Sequence, residues 1–146
     1  MTDFKYKATV IVPVYNVEEY LDTCLMSLAN QTIPKDQMEV LVINDGSQDG
    51  SLEICRKFGE KYSFIKVFSK ENEGLSATRN YGIRRAQGKY IFFLDSDDYL
   101  KPGALSRLYE VAEDNSLEVL SFSGEAFLDQ SMRNIGDRAY DSQAYI

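Results

Sequence analysis

The chain has 146 residues, 44% of them hydrophobic, and a formal net charge of -7. A chain of this length and apolar content buries enough surface to fold as a globular domain without disulfides or a structural metal, which argues against intrinsic disorder. Because the sequence contains no histidine, it cannot form a Ser-His-Asp triad, a Cys-His pair or a histidine base. Carboxylates must therefore do any acid–base or metal chemistry.

The net charge and the two cysteines indicate which partners and which cellular compartment to expect. The acidic balance argues against a nucleic-acid partner, because nucleic-acid binding needs basic side chains that neutralise phosphates. Cys24 and Cys55 fall within amphipathic patterns rather than in a close metal-type pair, so we expect buried free thiols and a reducing compartment. No apolar run approaches the ~18 residues of a membrane span, and residues 1–5 lack the apolar segment of a signal peptide. We therefore expect a soluble, cytoplasmic protein without a transmembrane segment.

Short apolar segments alternate with amphipathic segments along the chain, and this order predicts strands and helices in turn. The predicted strands cover residues 8–14, 38–43, 65–68, 90–94 and 119–122. Apolar residues recur at three- and four-residue spacing in the predicted helices, which cover residues 17–30, 51–62, 75–86 and 102–113. Asn16 and Asp49 are the predicted N-caps of the first two helices, and Pro102 opens the fourth.

This alternation predicts the fold class. Strands that alternate with helices at this spacing pair in parallel through right-handed crossovers, so we predict a doubly wound, mostly parallel α/β sheet of the Rossmann-like type. In such a sheet ligands bind beyond the carboxyl ends of the strands, and polar residues follow the first, second and fourth predicted strands. We expect residues 1–128 to form this domain. Residues 129–146 show no clear period, and we expect them to begin an incomplete further region.

Three carboxylates, Asp95, Asp97 and Asp98, lie directly after the fourth predicted strand. In an extended chain Asp95 and Asp97 point to the same side, where their charges repel unless one takes up a proton or a cation binds beside them. Mg²⁺ and Mn²⁺ prefer such oxygen ligands. Turn and capping roles would explain one of these aspartates, so the run favours a metal site over a plain turn.

Asp45 follows the second predicted strand and has no local duty there, because Asp49 can cap the next helix and two glycines, Gly46 and Gly50, can form the turn. A carboxylate at this edge of the sheet can accept hydrogen bonds from a nucleobase N–H or a ribose hydroxyl. An ordinary turn aspartate is as consistent with the local sequence, so both interpretations stay open.

Arg79 falls on the apolar face of its predicted helix, on the same arc as Leu75, Gly82 and Ile83. A buried arginine needs an anionic partner, and we expect a phosphate or an active-site carboxylate. Residues 66–89 hold six basic side chains against two acidic ones. This local excess within an acidic chain suits a diphosphate.

Tyr15 and Glu18 follow the first predicted strand. Tyr15 can stack on a base, although most of the ten tyrosines must be core or surface residues. Glu18 lies in the first turn of its helix, where its charge complements the helix dipole, and that structural role is sufficient to explain it.

Four motifs carry a family resemblance. They are IVPVYN at 11–16, VINDGSQDGS at 42–51, NEGLSATRN at 72–80 and GKYIFFLDSDD at 88–98. In this order they resemble the inverting family 2 glycosyltransferases of the GT-A fold, and the resemblance runs from about residue 8 to residue 128. One of these motifs alone, and the acidic one especially, would be weak.

The resemblance implies roles for individual residues. Pro13, Tyr15 and Glu18 would line the nucleoside pocket. Asp45, in the same motif as Ser47, would hold the base or the ribose. The implied nucleotide-binding set is Pro13, Tyr15, Glu18, Asp45, Ser47, Arg79 and Asp95. Arg79 would lie near the diphosphate, and Asp95 and Asp97 would be the acidic pair of the metal site, with Asp97 on a Mn²⁺ or Mg²⁺ ion.

The resemblance also implies the reaction. A sugar would move with inversion from a nucleotide-diphosphate sugar, with uridine as the expected nucleoside, to a hydroxyl of a saccharide or lipid-linked acceptor in surface polysaccharide or glycoconjugate synthesis. Such enzymes place the catalytic base well downstream of the acidic pair, so we expect it beyond Ile146. We therefore expect this chain to bind the donor and to transfer poorly, in the cytoplasm or at the inner membrane face.

Two other classes of protein stay open as alternatives. A receiver-type signalling domain is a doubly wound module of similar size that holds Mg²⁺ with acids at its strand ends, but it draws acids from the loop after the first strand, where this sequence has none. A non-catalytic interaction module could keep a transferase-like fold, since fold alone does not establish activity. The presence of both Asp95 and Asp97 argues against that alternative.

Overall fold

The computed structural model describes residues 3–124 and two further short strands at 127–128 and 133–134. The chain divides into two compact units, Met1–Tyr109 and Glu110–Ile146. The second unit contains an antiparallel pair formed by the two short strands, Phe127–Leu128 and Arg133–Asn134. The first unit contains the main sheet.

Strands and helices alternate in the order that the hydrophobic pattern predicts. The strands of the main sheet are β1 (Tyr6–Val14), β2 (Met38–Asp45), β3 (Ile65–Lys70) and β4 (Gly88–Phe93). The helices are α1 (Glu18–Ala29), α2 (Ser51–Lys61), α3 (Leu75–Ile83) and α4 (Ala104–Asp114), with a 3-10 turn at Lys35–Gln37 before β2. All four strands are parallel and lie in the order β3-β2-β1-β4, which confirms the predicted α/β class.

Helices cover both faces of the sheet. On one face, alternate residues of β1 and β2 pack with α1 and α2 in a buried cluster that includes Val10, Val12, Val40, Leu25 and Cys55. On the other face α3 crosses so closely that a Cβ at Gly82 would come within 2.7 Å of Ile11 and 2.9 Å of Ile43. Parallel strands buried on both faces read as continuous apolar runs, which explains the sequence of β1 and β2.

The order in which strands are added to the sheet changes at β1. It moves outward from β1 through β2 to β3, and then crosses by way of α3 to place β4 on the opposite side of β1. The strand order therefore reverses between β1 and β4, and doubly wound folds form their ligand crevice beyond the carboxyl ends of the strands at such a switch point.

The two cysteines are free and buried, as predicted. Burial raises the pKa of both thiols: that of Cys55 to about 12, and that of Cys24 further still, with the charges of the nearby aspartates adding to it. Both thiols therefore stay protonated and inert at neutral pH. Within the described part of the chain no helix is long and apolar enough to cross a membrane.

Most predicted element boundaries differ from the structure by one or two residues, and one predicted element is absent from the described residues. The fifth strand, predicted at 119–122, is wrong: these residues are irregular, and Val119 is 80% exposed, so no apolar face is buried there to stabilise a strand. The third helix ends at Ile83 rather than at residue 86, and the fourth begins at Ala104 rather than at Pro102. Most of residues 129–146 lie outside the described residues, and the predicted boundary after residue 128 stays a prediction.

Candidate functional site

The carboxyl ends of β1, β2 and β4 border a cavity of about 460 Å³. Five of the predicted site residues line it together: Pro13, Tyr15, Asp45, Asp95 and Asp97. The other lining residues are Val14, Val17, Asn72, Gly74, Leu75, Thr78 and Ser96. Tyr15 is 49% exposed and lines the cavity, so a ligand there can reach it. The cavity combines apolar walls with a few polar groups, which is the usual composition of a small-molecule site.

Asp45 anchors the loop between β3 and α3. Its Oδ1 accepts hydrogen bonds from Lys70 Nζ at 2.6 Å and from Glu73 N at 2.9 Å, and its Oδ2 accepts one from Gly74 N at 2.9 Å. Burial alone would raise the pKa of Asp45, but these hydrogen bonds and the charge of Lys70 hold it below its ordinary value. Asp45 is therefore ionised at neutral pH and does more than an ordinary turn aspartate.

A close approach between two loops completes this wall of the cavity. Asn72 Nδ2 donates to the backbone oxygen of Asp45 at 3.0 Å. Gly46 has a φ of +74°, and a Cβ there would lie 2.9 Å from Asn72 N. Only glycine satisfies both the backbone conformation and the spacing at this position. Gly46 thus allows the β3–α3 loop to lie against the end of β2.

The acidic run after β4 forms a tight turn. Asp98 N donates to the backbone oxygen of Asp95 at 2.9 Å, and the residues Asp95 and Asp97 are exposed. Partial burial raises the pKa of Asp98, and the like charges of Asp97 and Asp95 add to the shift. The three carboxylates therefore repel one another, and a bound cation would relieve this repulsion.

Arg79 pairs with the acidic run rather than lining the cavity. Its Nη2 lies 2.7 Å from Asp95 Oδ1, and its guanidinium sits 5.9 Å from the centre of the Phe93 ring. The Arg79 Nε atom is buried and has no hydrogen-bond partner among the described residues. The expectation of an anionic partner for Arg79 is confirmed by a carboxylate at the site, while its side chain is 34% exposed.

The structure distributes the basic excess of residues 66–89 over several places. Lys66 bonds Glu39 Oε2 at 2.7 Å, and the Lys70 ammonium is occupied by Asp45. The Arg85 guanidinium lies 3.4 Å from the centre of the Tyr81 ring. The pattern therefore does not form one diphosphate patch, because Lys66 and Lys70 lie at opposite ends of β3, where each bonds a carboxylate of β2, and Arg85 lies beyond the end of α3.

Glu18 and Ser47, two of the predicted nucleotide-binding residues, bond neighbouring backbone instead of lining the cavity. Glu18 Oε2 accepts from Gly50 N at 2.6 Å, and Ser47 Oγ accepts from Asn16 N at 3.1 Å. These contacts join the loop after β1 to the loop after β2. Both side chains therefore stabilise the two loops beside the cavity without lining it.

The N-caps of α1 and α2 also differ from the prediction. Asn16 does not cap α1; it has a φ of 49° and its Oδ1 accepts from Gln48 N at 2.8 Å. Asp49 bonds the starts of both helices, since Oδ1 accepts from Ser51 N at 2.9 Å and Oδ2 accepts from Glu18 N at 3.2 Å. One carboxylate thus serves two helix N-termini, a contact between loops that local sequence does not reveal.

Sequence reasoning missed four polar residues of the site. Asn72, Thr78 and Ser96 line the cavity, and Lys70 bonds Asp45 Oδ1. Asn72 and Thr78 lie in the NEGLSATRN motif, so that motif contained a signal for them. Lys70 had no such signal, because its contact with Asp45 joins the ends of two neighbouring strands.

The acidic pair fits a hard divalent cation that is shared with a substrate. No group of three or more His, Cys, Asp or Glu side chains forms a metal cluster in the part of the chain that the structure describes. Asp95 and Asp97 supply carboxylate oxygens at the cavity, and Mg²⁺ is commonly bound by one or two carboxylates plus substrate phosphates and water. The donor set therefore suits Mg²⁺ or Mn²⁺ with a phosphorylated ligand.

The chain matches a known protein family over most of its length. The family model described as Glycosyl transferase family 2 matches residues 9–137. A cholesterol galactosyltransferase from Borreliella burgdorferi is 49% identical over 113 residues, which cover 77% of this chain and 31% of that protein. The chain therefore spans about a third of the length of that relative.

Solved structures agree with the fold. A crystal structure of S. aureus TarS 1-349 in complex with UDP has a TM-score of 0.71 and 37% identity, and the match covers 75% of this chain and 33% of that chain. The same protein has been solved in complex with UDP-GlcNAc. The mannosyltransferase PcManGT from Pyrobaculum calidifontis, in complex with GDP-Man and Mn²⁺, has a TM-score of 0.69 over 86% of this chain and 36% of that one; at 23% identity it supports the fold alone.

Proposed function

Because the chain belongs to glycosyl transferase family 2, we propose that its crevice binds the nucleotide-diphosphate sugar donor of an inverting glycosyl transfer. One observation carries this proposal: an ionised, buried Asp45 and the acidic pair Asp95 and Asp97 line the same cavity. The first can pair with a nucleoside, and the second attracts the cation that accompanies a diphosphate. The UDP complex of a neighbour with 37% identity supports uridine as the nucleoside.

The residues of the crevice divide the work of donor binding. Tyr15 offers an exposed side chain on which a base can stack, next to Pro13. Asp45 accepts a hydrogen bond from the base or the ribose. Arg79, paired with Asp95 in the absence of donor, supplies a guanidinium for the diphosphate.

Asp95 and Asp97 would hold a divalent cation, Mn²⁺ or Mg²⁺. Bound there, the ion would act as a Lewis acid on the leaving diphosphate. A backbone hydrogen bond closes the turn at Asp95–Asp98, whose two carboxylates Asp95 and Asp97 line the cavity, and Arg79 balances the charge of Asp95 until the ligand arrives.

We propose that the acceptor of the sugar is a hydroxyl of a saccharide or lipid-linked molecule. The reaction would belong to surface polysaccharide or glycoconjugate synthesis, with the protein in the cytoplasm or at the inner membrane face. No residue of the crevice is assigned as the base that deprotonates this hydroxyl. We therefore expect the isolated chain to bind donor well and to transfer sugar poorly.

Calorimetric titration with UDP, with and without Mn²⁺, tests the proposal. We expect Mn²⁺ to strengthen UDP binding, and Asp97→Asn to weaken binding in the presence of Mn²⁺ by about tenfold or more. Asp22→Asn, on the exposed side of α1, is the matched control and should leave the affinity unchanged. A folded chain that binds neither UDP nor GDP would overturn the proposal.

A further inference from the structure

The Asp45 carboxylate has one free acceptor site for a ligand. A carboxylate has about four lone-pair sites, two on each oxygen. Oδ1 accepts from Lys70 Nζ at 2.6 Å and from Glu73 N at 2.9 Å, so both of its sites are filled. Oδ2 accepts from Gly74 N at 2.9 Å and keeps one site. Among the described contacts, Asp45 can therefore receive one further hydrogen bond, on Oδ2.

Lys70 is fixed in this position by its own contacts. Its side chain is 10% exposed, and its ammonium bonds Asp45 Oδ1, Glu73 Oε2 at 2.9 Å and the backbone oxygen of Glu71 at 3.2 Å. An ammonium has three donors and no acceptor, so all of its capacity is used. In this arrangement the Lys70 ammonium occupies Oδ1 and has no donor left for a phosphate.

The nucleobases differ in how many adjacent donors they offer to a carboxylate. Uracil has a single ring N–H between two carbonyls, so it needs one acceptor. Guanine has a ring N–H beside an amino group, and this pair suits two free acceptors on the two oxygens of a carboxylate. When one acceptor is missing, a buried donor is left unpaired and loses its hydration without compensation.

We propose that Lys70 is a positioning residue that makes the crevice select uracil over guanine, because it occupies Asp45 Oδ1 and leaves one acceptor for the base. The inference rests on the proposed function, but it concerns the choice of base and not the binding of a donor as such. The hydrogen bonds that hold the pKa of Asp45 low keep the carboxylate ionised and acceptor-only at neutral pH. Glu73 contributes as the second partner of the Lys70 ammonium.

Three variants test the role of Lys70 through the ratio of the UDP and GDP dissociation constants. Lys70→Met frees one site on Oδ1, and we expect the preference for UDP to fall by about tenfold, the size of one hydrogen bond to a charged group. Lys70→Arg keeps the positive charge on Oδ1 and should keep the preference. Lys66→Met, on the same strand, removes the partner of the buried Glu39 and should leave the ratio unchanged.

A second measurement needs no substitution and guards against a variant that fails to fold. Inosine diphosphate keeps the ring N–H of GDP but lacks its amino group. If Oδ2 alone receives the base, inosine diphosphate should bind the unmodified chain more tightly than GDP. In a folded Lys70→Met variant, GDP should bind at least as tightly as inosine diphosphate.

The outcomes separate this inference from the proposed function. An unmodified chain that prefers UDP, ranks inosine diphosphate above GDP and loses its preference in Lys70→Met but not in Lys70→Arg supports the inference. Equal affinity for UDP and GDP, or an unchanged ratio in Lys70→Met, overturns it while donor binding stands. Absence of binding to all three nucleotides overturns the proposed function, and the inference falls with it.

Discussion

Arg79 Nη2 lies 2.7 Å from Asp95 Oδ1, so the guanidinium occupies a carboxylate that a metal ion would otherwise use. The side chains are 34% and 50% exposed, respectively, and water screens the pair enough that it contributes at most about 1 kcal/mol to folding. A contact of this strength is easily exchanged. If Asp95 holds a cation as proposed, we expect Arg79 to compete with that cation for Asp95 and to become available for an anionic ligand once the cation binds.

The first prediction follows from this competition. Arg79→Met should strengthen the binding of Mn²⁺ alone, because Asp95 loses its competing cation. The same change should weaken the binding of UDP in the presence of Mn²⁺ by about tenfold, because a charged donor to the diphosphate is lost. Titration of Mn²⁺ and of UDP into the same protein measures both effects.

A rise in Mn²⁺ affinity together with a fall in UDP affinity distinguishes this interpretation from general damage to the site, which would lower both affinities. Arg84→Met, at an exposed position just after α3, should change neither affinity. A decrease in both affinities in Arg79→Met would show that the arginine holds the acidic turn together rather than competing for it.

The second prediction concerns pH and the two helix N-termini that share Asp49. Burial alone would raise the pKa of Asp49, but hydrogen bonds from Ser51 and from Glu18 N hold it below its ordinary value. A carboxyl with a lowered pKa stabilises the fold above its unfolded pKa of about 3.9, and this stabilisation is lost as the pH falls toward the folded value. Asp49→Asn removes the charge and one of the two acceptor oxygens at these helix N-termini, and it should therefore destabilise the chain by about 1 kcal/mol at pH 7.

Urea unfolding at pH 7 and at pH 3 measures this effect. The difference between the unmodified chain and Asp49→Asn should shrink at pH 3, because this pH lies below the unfolded pKa of about 3.9, where the stabilisation from the lowered pKa of Asp49 begins to be lost. A difference of equal size at both values would mean that the charge of Asp49 does not matter. Asp36→Asn, in the 3-10 turn, is a control on an exposed carboxylate.

The third prediction concerns a buried carboxylate at the opposite end of the sheet. Glu39 is 1% exposed, and its Oε1 accepts from Thr9 Oγ1 at 2.7 Å and from Gln87 N at 2.6 Å, while Oε2 accepts from Lys66. Glu39→Gln replaces an acceptor with an amide that must turn a donor toward one of these groups. We expect a loss of about 3 kcal/mol in the free energy of unfolding.

Denaturant unfolding measures this loss of stability, and UDP titration shows whether the substitution also changes the affinity of the cavity for UDP. Since Glu39 lies far from the cavity lining, the folded Glu39→Gln protein should bind UDP with unchanged affinity. A large loss of affinity in a folded variant would mean that the start of β4 controls the position of Asp95.

The fourth prediction concerns the tight approach of β4 to β1. A Cβ at Gly88 would lie 2.4 Å from Thr9 N and 2.6 Å from the Ala8 carbonyl carbon, both of them backbone atoms that cannot move aside. Gly88→Ala should therefore cost about 3 kcal/mol or more in stability. Thermal unfolding beside Gly124→Ala, where a Cβ meets nothing within 4 Å, measures the difference; equal stabilities would contradict the packing at Gly88.

Much of the site could be predicted because its residues follow strands directly. Apolar runs mark the strands, and the polar residue that ends each run must lie at the carboxyl edge of a parallel sheet. That reasoning places Asp45, Asp95 and Asp97 at one edge, and the structure brings them to one cavity. The same reasoning gave a wrong fifth strand at 119–122, because a short apolar run does not form a strand without a partner that buries it.

The hydrophobic pattern was enough to predict the periodicity of burial, hence the α/β class, and to identify the polar residues that end β1, β2 and β4. What these residues bond depends on how the strands are arranged in space. Lys70 reaches Asp45 across 25 positions and Glu18 reaches Gly50 across 32, and both contacts exist because neighbouring strands end side by side. Periodicity reports which face of an element is buried, whereas a hydrogen bond between two loops depends on strand order and register, which no local pattern encodes.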